Sequence, residues 1–172
     1  MIQKLCTVLC LAGLLYAPTL FSEVSQQKAT LNWQTNYEKA LEQSKETSKP
    51  LILFFMGSDW CTPCHQFEDN VFDSQAFIDA AADKFVFVKV DSPRYKPQSS
   101  EEKAQNKQLL SKFEISGFPT VIVIDSKHNQ QVRLVGYDAG EAKNYAESIL
   151  KMVHDYSSEM SSEKSADPET QI

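Results

Sequence analysis

Cysteine is scarce in this sequence, since the chain of 172 residues contains only four. Cys6 and Cys10 fall within the first ten residues, whereas Cys61 and Cys64 are separated by just two residues. A secreted scaffold held together by disulfide bonds carries several pairs spread along the chain. A bond between Cys61 and Cys64 would close a loop too short to stabilise a fold by much. We therefore infer that the value of this pair is chemical.

Long apolar stretches are also missing, since none reaches the roughly 20 residues that a helix needs to span a bilayer. At the N-terminus, Lys4 precedes an apolar run over 5–16, and small residues follow it. This order is typical of a secretory signal peptide, so we predict that 1–22 is cleaved and that a soluble periplasmic protein remains. A retained membrane anchor is the alternative. Cys10 invites a lipoprotein reading, but the bulky Leu9 before it argues against one.

Basic residues are few and scattered. The predicted signal contains Lys4 and no acid, so its loss leaves 16 basic residues against 23 acidic ones, a net charge of about −7. No basic cluster offers a face to phosphate groups, which argues against a nucleic-acid partner. The remaining chain suits one domain with its own core, and we expect a monomer.

Apolar periodicity predicts three segments after the signal. Residues 23–50 form an N-terminal helical extension packed on the domain, with a helix from near Thr35 to before Pro50. Residues 51–154 form the domain, and 155–172 lack apolar periodicity and are expected to be a disordered acidic tail.

Within the domain the elements alternate between strand and helix. The predicted strands are Leu51–Gly57, Phe85–Asp91 and a hairpin that turns around Lys127–Asn129. The predicted helices are Asp59–Asn70, a short one capped by Asp73 or Ser74, Glu101–Phe113 and a closing helix. The closing helix has an apolar face of Ala142, Tyr145, Ala146, Ile149, Leu150 and Val153. A long polar loop is assigned to 92–107.

This order predicts an α/β fold with a central mixed sheet and helices on both faces. The first domain strand feeds the helix that carries Cys61 and Cys64. The pair would therefore lie at the carboxyl end of the sheet, where open α/β sheets place their sites.

The segment Cys61-Thr62-Pro63-Cys64-His65 fits two chemistries, a thiol–disulfide redox pair and covalent haem attachment. Haem would require His65 as a ligand in a large apolar pocket, and an α/β order is unlike the helical wrapping such a pocket usually has. A closed structural zinc site needs four ligands, and the chain after the predicted signal offers only two cysteines and three scattered histidines. We therefore predict no metal and no cofactor, with His65 a partly exposed helix residue.

Redox chemistry explains the spacing. The thiolate is the nucleophile, and free cysteine is mostly protonated at neutral pH. At a helix start, unpaired N–H groups and the helix dipole would lower the pKa of Cys61. Cys64, one turn on, is near enough to close a disulfide but more buried. Pro63 is tolerated there because first-turn N–H groups have no helical partner.

A second element is Phe118-Pro119 at the head of a strand. Proline cannot donate to a sheet ladder, so it marks a boundary. We hypothesise a cis Phe118–Pro119 bond that turns the Phe118 backbone outward to pair with an extended substrate; an ordinary trans turn is the alternative.

The stretches "LILFFMGSDWCTPC", "FVFVKVD", "FEISGFPTVIVID" and "VGYDAGEAKNYAESIL" resemble the successive landmarks of the thioredoxin fold. Within that superfamily, "SDWCTPCHQFEDNVFDSQAF" is similar to the C-terminal periplasmic domain of DsbD and to small secreted reductases of DsbH type. The resemblance implies Cys61 as nucleophile, Cys64 as resolving thiol, Trp60 as flanking aromatic and Pro119 as cis-proline, with Trp60, Phe118 and Pro119 contacting substrate.

The sequence departs from the family at the buried acid six residues before the first cysteine, where Phe55 stands, and at its companion lysine, near Phe87. Glu68 matches a second acid of the DsbD domain. Its i, i+4 spacing from Cys64 puts both on one helix face. We hypothesise that Glu68 accepts the proton of Cys64; the alternative is a solvated glutamate.

These residues predict an exported protein-disulfide reductase that acts on disulfide-containing exported proteins and is recharged by a membrane thiol donor of DsbD type. A disulfide oxidase or isomerase, a c-type haem electron carrier and a binding module with structural cysteines are the alternatives.

Overall fold

A computed structural model of the chain describes residues 30–125 and 130–151. The predicted signal peptide, the predicted turn around 127–129, Val153 and the predicted acidic tail lie outside the described residues.

The described strands form one five-stranded mixed sheet in the order β1-β3-β2-β4-β5. The strands are β1 (Trp33–Gln34), β2 (Leu51–Met56), β3 (Val86–Asp91), β4 (Thr120–Ile124) and β5 (Gln130–Val135). β3 runs parallel to β1 and β2, whereas β4 runs antiparallel to β2 and β5. The predicted mixed sheet and its terminal hairpin are confirmed.

Helical segments connect these strands. They are α1 (Tyr37–Thr47), α2 (Thr62–Phe67), a π-helix (Glu68–Phe72), α3 (Gln75–Ala81), α4 (Ser100–Lys112), a 3₁₀ turn (Ala139–Glu141) and α5 (142–151). Asn36, Ser74 and Ser99 cap α1, α3 and α4, each accepting a hydrogen bond from a backbone N–H three residues on.

The strands bury both faces of the sheet because their side chains alternate in direction. On β2, Ile52 and Phe54 enter one core cluster, and Leu53 and Phe55 enter the other. We call the first cluster the α2 face, because it includes Cys64 and residues of α2, α3 and α5. The second is the α1 face, covered by α1 and α4. Helices on both faces are thereby confirmed, and so is the thioredoxin fold.

Three elements differ from the sequence-based expectation. The helix predicted over 59–70 begins at Thr62 and passes into the π-helix, because 57–61 forms a hydrogen-bonded turn. The loop predicted over 92–107 ends at Ser99, whose hydroxyl accepts the Glu102 N–H at 3.1 Å and starts α4. Residues 30–50 pack on the domain through α1, but they also supply the edge strand β1, which was not predicted.

Aromatic rings fill the α2 face. The Phe72 ring lies at the centre, with centroids of Trp33, Phe54, Phe67 and Phe77 between 5.0 and 5.4 Å away. Such pairs contribute about 0.5–1.5 kcal/mol each beyond the area they bury. This cluster joins β1, β2, α2 and α3, so it supports the helix that carries the cysteines.

Phe72→Ala should therefore lower the free energy of unfolding by about 3–5 kcal/mol, because it leaves a cavity among four rings. Urea denaturation measures this loss. Tyr95→Ala is the control, since Tyr95 is 83% exposed and its loss should change the value by less than about 0.5 kcal/mol. Equal losses in the two variants would contradict this account of the core.

Candidate active site

Cys61 and Cys64 form a disulfide at the carboxyl end of β2, with Cα atoms 5.2 Å apart. Cys61 is the N-cap of α2, and Cys64 lies in its first turn. Both are buried in the core of the α2 face, Cys64 completely and Cys61 with 3% exposed. The predicted position, helix start and relative burial agree with this geometry. His65, the next residue, is exposed as predicted.

The turn before Cys61 depends on Gly57. Its carbonyl accepts the N–H groups of Trp60 at 3.3 Å and Cys61 at 2.9 Å. A Cβ at residue 57 would lie 2.3 Å from the Trp60 indole, well inside contact distance. Only glycine therefore lets the indole fold back over the turn and still leaves Cys61 at the head of the helix.

Trp60 links this turn to the second predicted element. Its indole Nε1 donates to the Ser92 carbonyl at 2.9 Å, and its ring meets Phe118 edge-on with centroids 5.5 Å apart. The Phe118–Pro119 bond is cis, which confirms that hypothesis. The structure thus brings Trp60, Phe118 and Pro119 to the same end of the sheet as the disulfide.

Glu68 lies one turn beyond Cys64, and its backbone N–H bonds to the Cys64 carbonyl. Its carboxylate forms an ion pair with Lys89, in which both side chains are partly buried. The Lys89 ammonium also lies over the Trp33 ring, 5.1 Å from its centroid. The sequence reading missed Lys89, although the alternation of "FVFVKVD" puts it on the same sheet face as Phe85 and Phe87.

The two family positions occupied by phenylalanine are both apolar core here. Phe55 is fully buried on the α1 face, where its ring packs 5.9 Å from that of Phe113. Phe87 is buried on the α2 face, 5.3 Å from the Trp33 ring. The Glu68–Lys89 pair is therefore an acid and a lysine on the α2 face, with Lys89 two residues from Phe87 but Glu68 thirteen residues from Phe55.

Asp59 has a role that sequence reasoning did not find. Its carboxylate accepts the backbone N–H groups of Arg94, Tyr95 and Lys96 at 2.7 to 2.9 Å. Desolvation raises the pKa of Asp59, but these N–H donors outweigh it and hold the pKa below its ordinary value of 3.8. The contact clamps the loop after β3, residues 92–99, onto the active-site turn.

A family model described as thioredoxin-like matches residues 32–126, more than half of the chain. The chain belongs to the thioredoxin-like family. Given the Cys61–Cys64 disulfide and its relatives, it is a thiol–disulfide oxidoreductase of Dsb type.

Two curated relatives support this class. The chain is 35% identical to the disulfide bond reductase DsbH of Chlamydia pneumoniae over 70% of this chain and 72% of that protein. It is 32% identical to the thioredoxin-related protein DsbJ of Chlamydia pneumoniae over 79% of this chain, but spans only 39% of DsbJ.

Solved structures agree. A DsbH oxidoreductase superposes with a TM-score of 0.63 at 34% identity, over 72% of this chain and 86% of that one. The reduced C-terminal domain of Neisseria meningitidis DsbD superposes with a TM-score of 0.50 at 20% identity, over 69% and 92% of the two chains, which shows a shared fold. The predicted resemblance to both is confirmed.

Neither a membrane-spanning helix nor a metal-binding cluster occurs within residues 30–125 and 130–151. No helix there is long and apolar enough to cross a membrane. Within the same ranges, no group of three or more His, Cys, Asp or Glu side chains is arranged to hold a metal ion.

The Asp59 clamp should respond to acid. Its pKa is lower in the folded state than the ordinary 3.8, so the clamp contributes stability above that pH and loses it as the pH falls through the folded value. We expect the amide signals of Arg94, Tyr95 and Lys96 to titrate together in NMR spectra, with a midpoint below 3.8. Asp59→Asn should abolish this shared titration; if it persisted in that variant, Asp59 would not be its source.

Proposed function

We propose that this protein is a periplasmic protein-disulfide reductase whose Cys61–Cys64 dithiol delivers two electrons to disulfides of exported proteins. The observation that carries the proposal is the position of Cys61 as helix N-cap, joined to Cys64 and flanked by Trp60 and Phe118–Pro119.

Reduced Cys61 is the attacking group. Once reduced, its sulfur at the N-cap would lie near the unpaired first-turn N–H groups of α2, and the continuous helical segment from Thr62 to Phe72 has its positive end at Cys61. Both effects stabilise a thiolate over a thiol. The thiolate attacks one sulfur of a substrate disulfide, whose S–S bond breaks; a mixed disulfide with Cys61 forms, and the second substrate sulfur leaves as a thiolate.

Cys64 then resolves the mixed disulfide. Its thiol loses a proton and attacks the Cys61 sulfur, so that the substrate leaves fully reduced and the Cys61–Cys64 bond forms. Cys64 is completely buried, so we propose that Glu68, one helical turn away, takes this proton. The ion pair with Lys89 would fix the position of the Glu68 carboxylate.

Phe118 and Pro119 would hold the substrate. An extended segment of the substrate would lie beside the cis Phe118–Pro119 bond and pair with the Phe118 backbone as an added strand. The Trp60 ring, in edge contact with Phe118, would cover the other side of the reacting sulfurs.

The reducing direction is supported by the relative named a disulfide bond reductase, which is 35% identical, and by the proline before the second cysteine. A continuing cycle needs a dithiol donor, and we propose a membrane protein of DsbD type.

Equilibration of Cys61/Cys64 with glutathione and dithiothreitol buffers tests the direction: a potential near the reducing end of the range, about −270 mV, is expected. A value near −120 mV would indicate an oxidase instead. Haem absorption bands in the purified exported protein would indicate a c-type haem electron carrier instead of a reductase.

Cys61→Ser should abolish insulin reduction, because it removes the nucleophile. Cys64→Ser should instead accumulate a mixed disulfide on Cys61, since nothing resolves it. Mass spectrometry of the protein after reaction with a disulfide peptide measures this adduct. Insulin reduction that survives in Cys61→Ser, or the absence of an adduct on Cys61 in Cys64→Ser, would contradict these two roles.

Glu68→Gln should slow resolution about tenfold or more, since it removes a general base. The readout is the pH profile of mixed-disulfide resolution, followed by stopped-flow. Glu42→Gln is the matched control, because Glu42 is an exposed glutamate of α1 on the other sheet face. An unchanged profile in Glu68→Gln would remove Glu68 from the mechanism.

A further inference from the structure

The loop 92–99 is fastened to the active-site turn at several points. Besides the Asp59 clamp, the Ser92 carbonyl accepts the Trp60 indole N–H at 2.9 Å, and the Ser58 N–H donates to Asp91, just before the loop, at 2.8 Å. Lys96 Nζ also donates to the Ser58 carbonyl at 3.3 Å. A loop held this way presents its side chains at a fixed place beside the disulfide.

This loop carries positive charge on an acidic protein. Residues 92–100 contain Arg94 and Lys96 and no acid, whereas the whole chain has a net charge of −6. The neighbouring carboxylate of Asp59 stays negatively charged, but it is directed at the loop backbone, where it accepts three N–H groups. The acids that follow, Glu101 and Glu102, lie in the first turn of α4.

Arg94 is the cation in direct contact with the site. Its guanidinium lies over the Trp60 ring, 4.0 Å from the centroid. In a stacked guanidinium the face is occupied by the ring, while the N–H groups on its edge stay directed outward, in the fork that matches a carboxylate. Arg94, Trp60 and Phe118 therefore form a continuous row of contacts, 4.0 and 5.5 Å between successive groups.

We propose that Arg94 determines substrate specificity by favouring disulfides in which an acidic residue lies next to the reacting cysteine. The inference rests on the proposed function. A substrate segment that pairs beside Phe118 must pass the Trp60 ring, and its neighbouring side chain then meets the guanidinium edge.

The test uses three disulfide peptides that differ only in the residue beside the cysteine, which is Glu, Gln or Lys. Stopped-flow gives the second-order rate constant for the reduced protein with each. The Glu peptide should react about two- to five-fold faster than the Lys peptide at low salt, as expected for one exposed ion pair. The ratio should approach one near 1 M salt, where the screening length is about 3 Å.

The net charge of the protein separates a local effect of Arg94 from a general electrostatic effect. A protein with a net charge of −6 would, by its overall potential, attract the Lys peptide more than the Glu peptide. Arg94→Gln should remove the preference for Glu, and Arg94→Lys should retain part of it. Lys45→Gln, with the same change of charge, should leave the ratio as in the wild type. Lys45 is exposed near the end of α1, which leads to the opposite end of β2, about 20 Å from the site.

A wild-type ratio of one or below, or a ratio unaffected by Arg94→Gln, would overturn the inference. The Gln peptide separates this failure from that of the proposed function. If the Gln peptide is reduced at an ordinary rate without any preference between Glu and Lys, only the role of Arg94 is lost. If none of the peptides is reduced, the proposed function itself fails.

Discussion

The contact between the Trp60 indole and the bare backbone of Gly57 is the constraint on which the rest of the site depends. It allows the chain to turn back within four residues of the end of β2, so that Cys61 meets the head of α2 rather than an open loop. The same indole touches Phe118 on one side and Arg94 on the other. One aromatic ring thus fixes the redox pair, the cis-proline segment and the loop 92–99 relative to each other.

The α2 face combines an apolar core with the Glu68–Lys89 ion pair. A charged pair is costly to bury unless its partners stay close, and the Glu68–Lys89 pair keeps part of its surface exposed. Phe55 and Phe87 meanwhile pack as ordinary core residues on opposite faces. The family's buried acid and lysine are thus replaced by apolar packing at their own positions, while a carboxylate and an ammonium pair on the α2 face, at Glu68 and Lys89.

Much of the fold was predictable because its strands are short continuous apolar runs bounded by turn residues, as Leu51–Met56 is. The cysteine positions followed from the same reading, since they begin the next helix. β1 was missed because two residues are too few to show a period. The start of α4 was predicted at Glu101, one residue from the observed Ser100, but the loop assigned to 92–107 ran into this helix, although Ser99 followed by Glu102 is the pattern of a capped helix. Lys89 and Asp59 could not be assigned, because their partners lie 21 and at least 35 residues away, and no local pattern reports such pairing.

Burial of the cysteines bears on how such a site distinguishes substrates. With Cys64 fully covered and Cys61 only 3% exposed in the disulfide form, little sulfur surface is available for recognition. In the proposed function, a partner would approach along the row of contacts formed by Arg94, Trp60 and Phe118. Substrate disulfides differ among themselves in the pKa of the leaving thiol and in strain, so the protein can add a preference of its own only through the side chains that line this approach. In this proposal, the turn at Gly57 positions the sulfurs and Arg94 discriminates among partners, and the Trp60 ring contacts both.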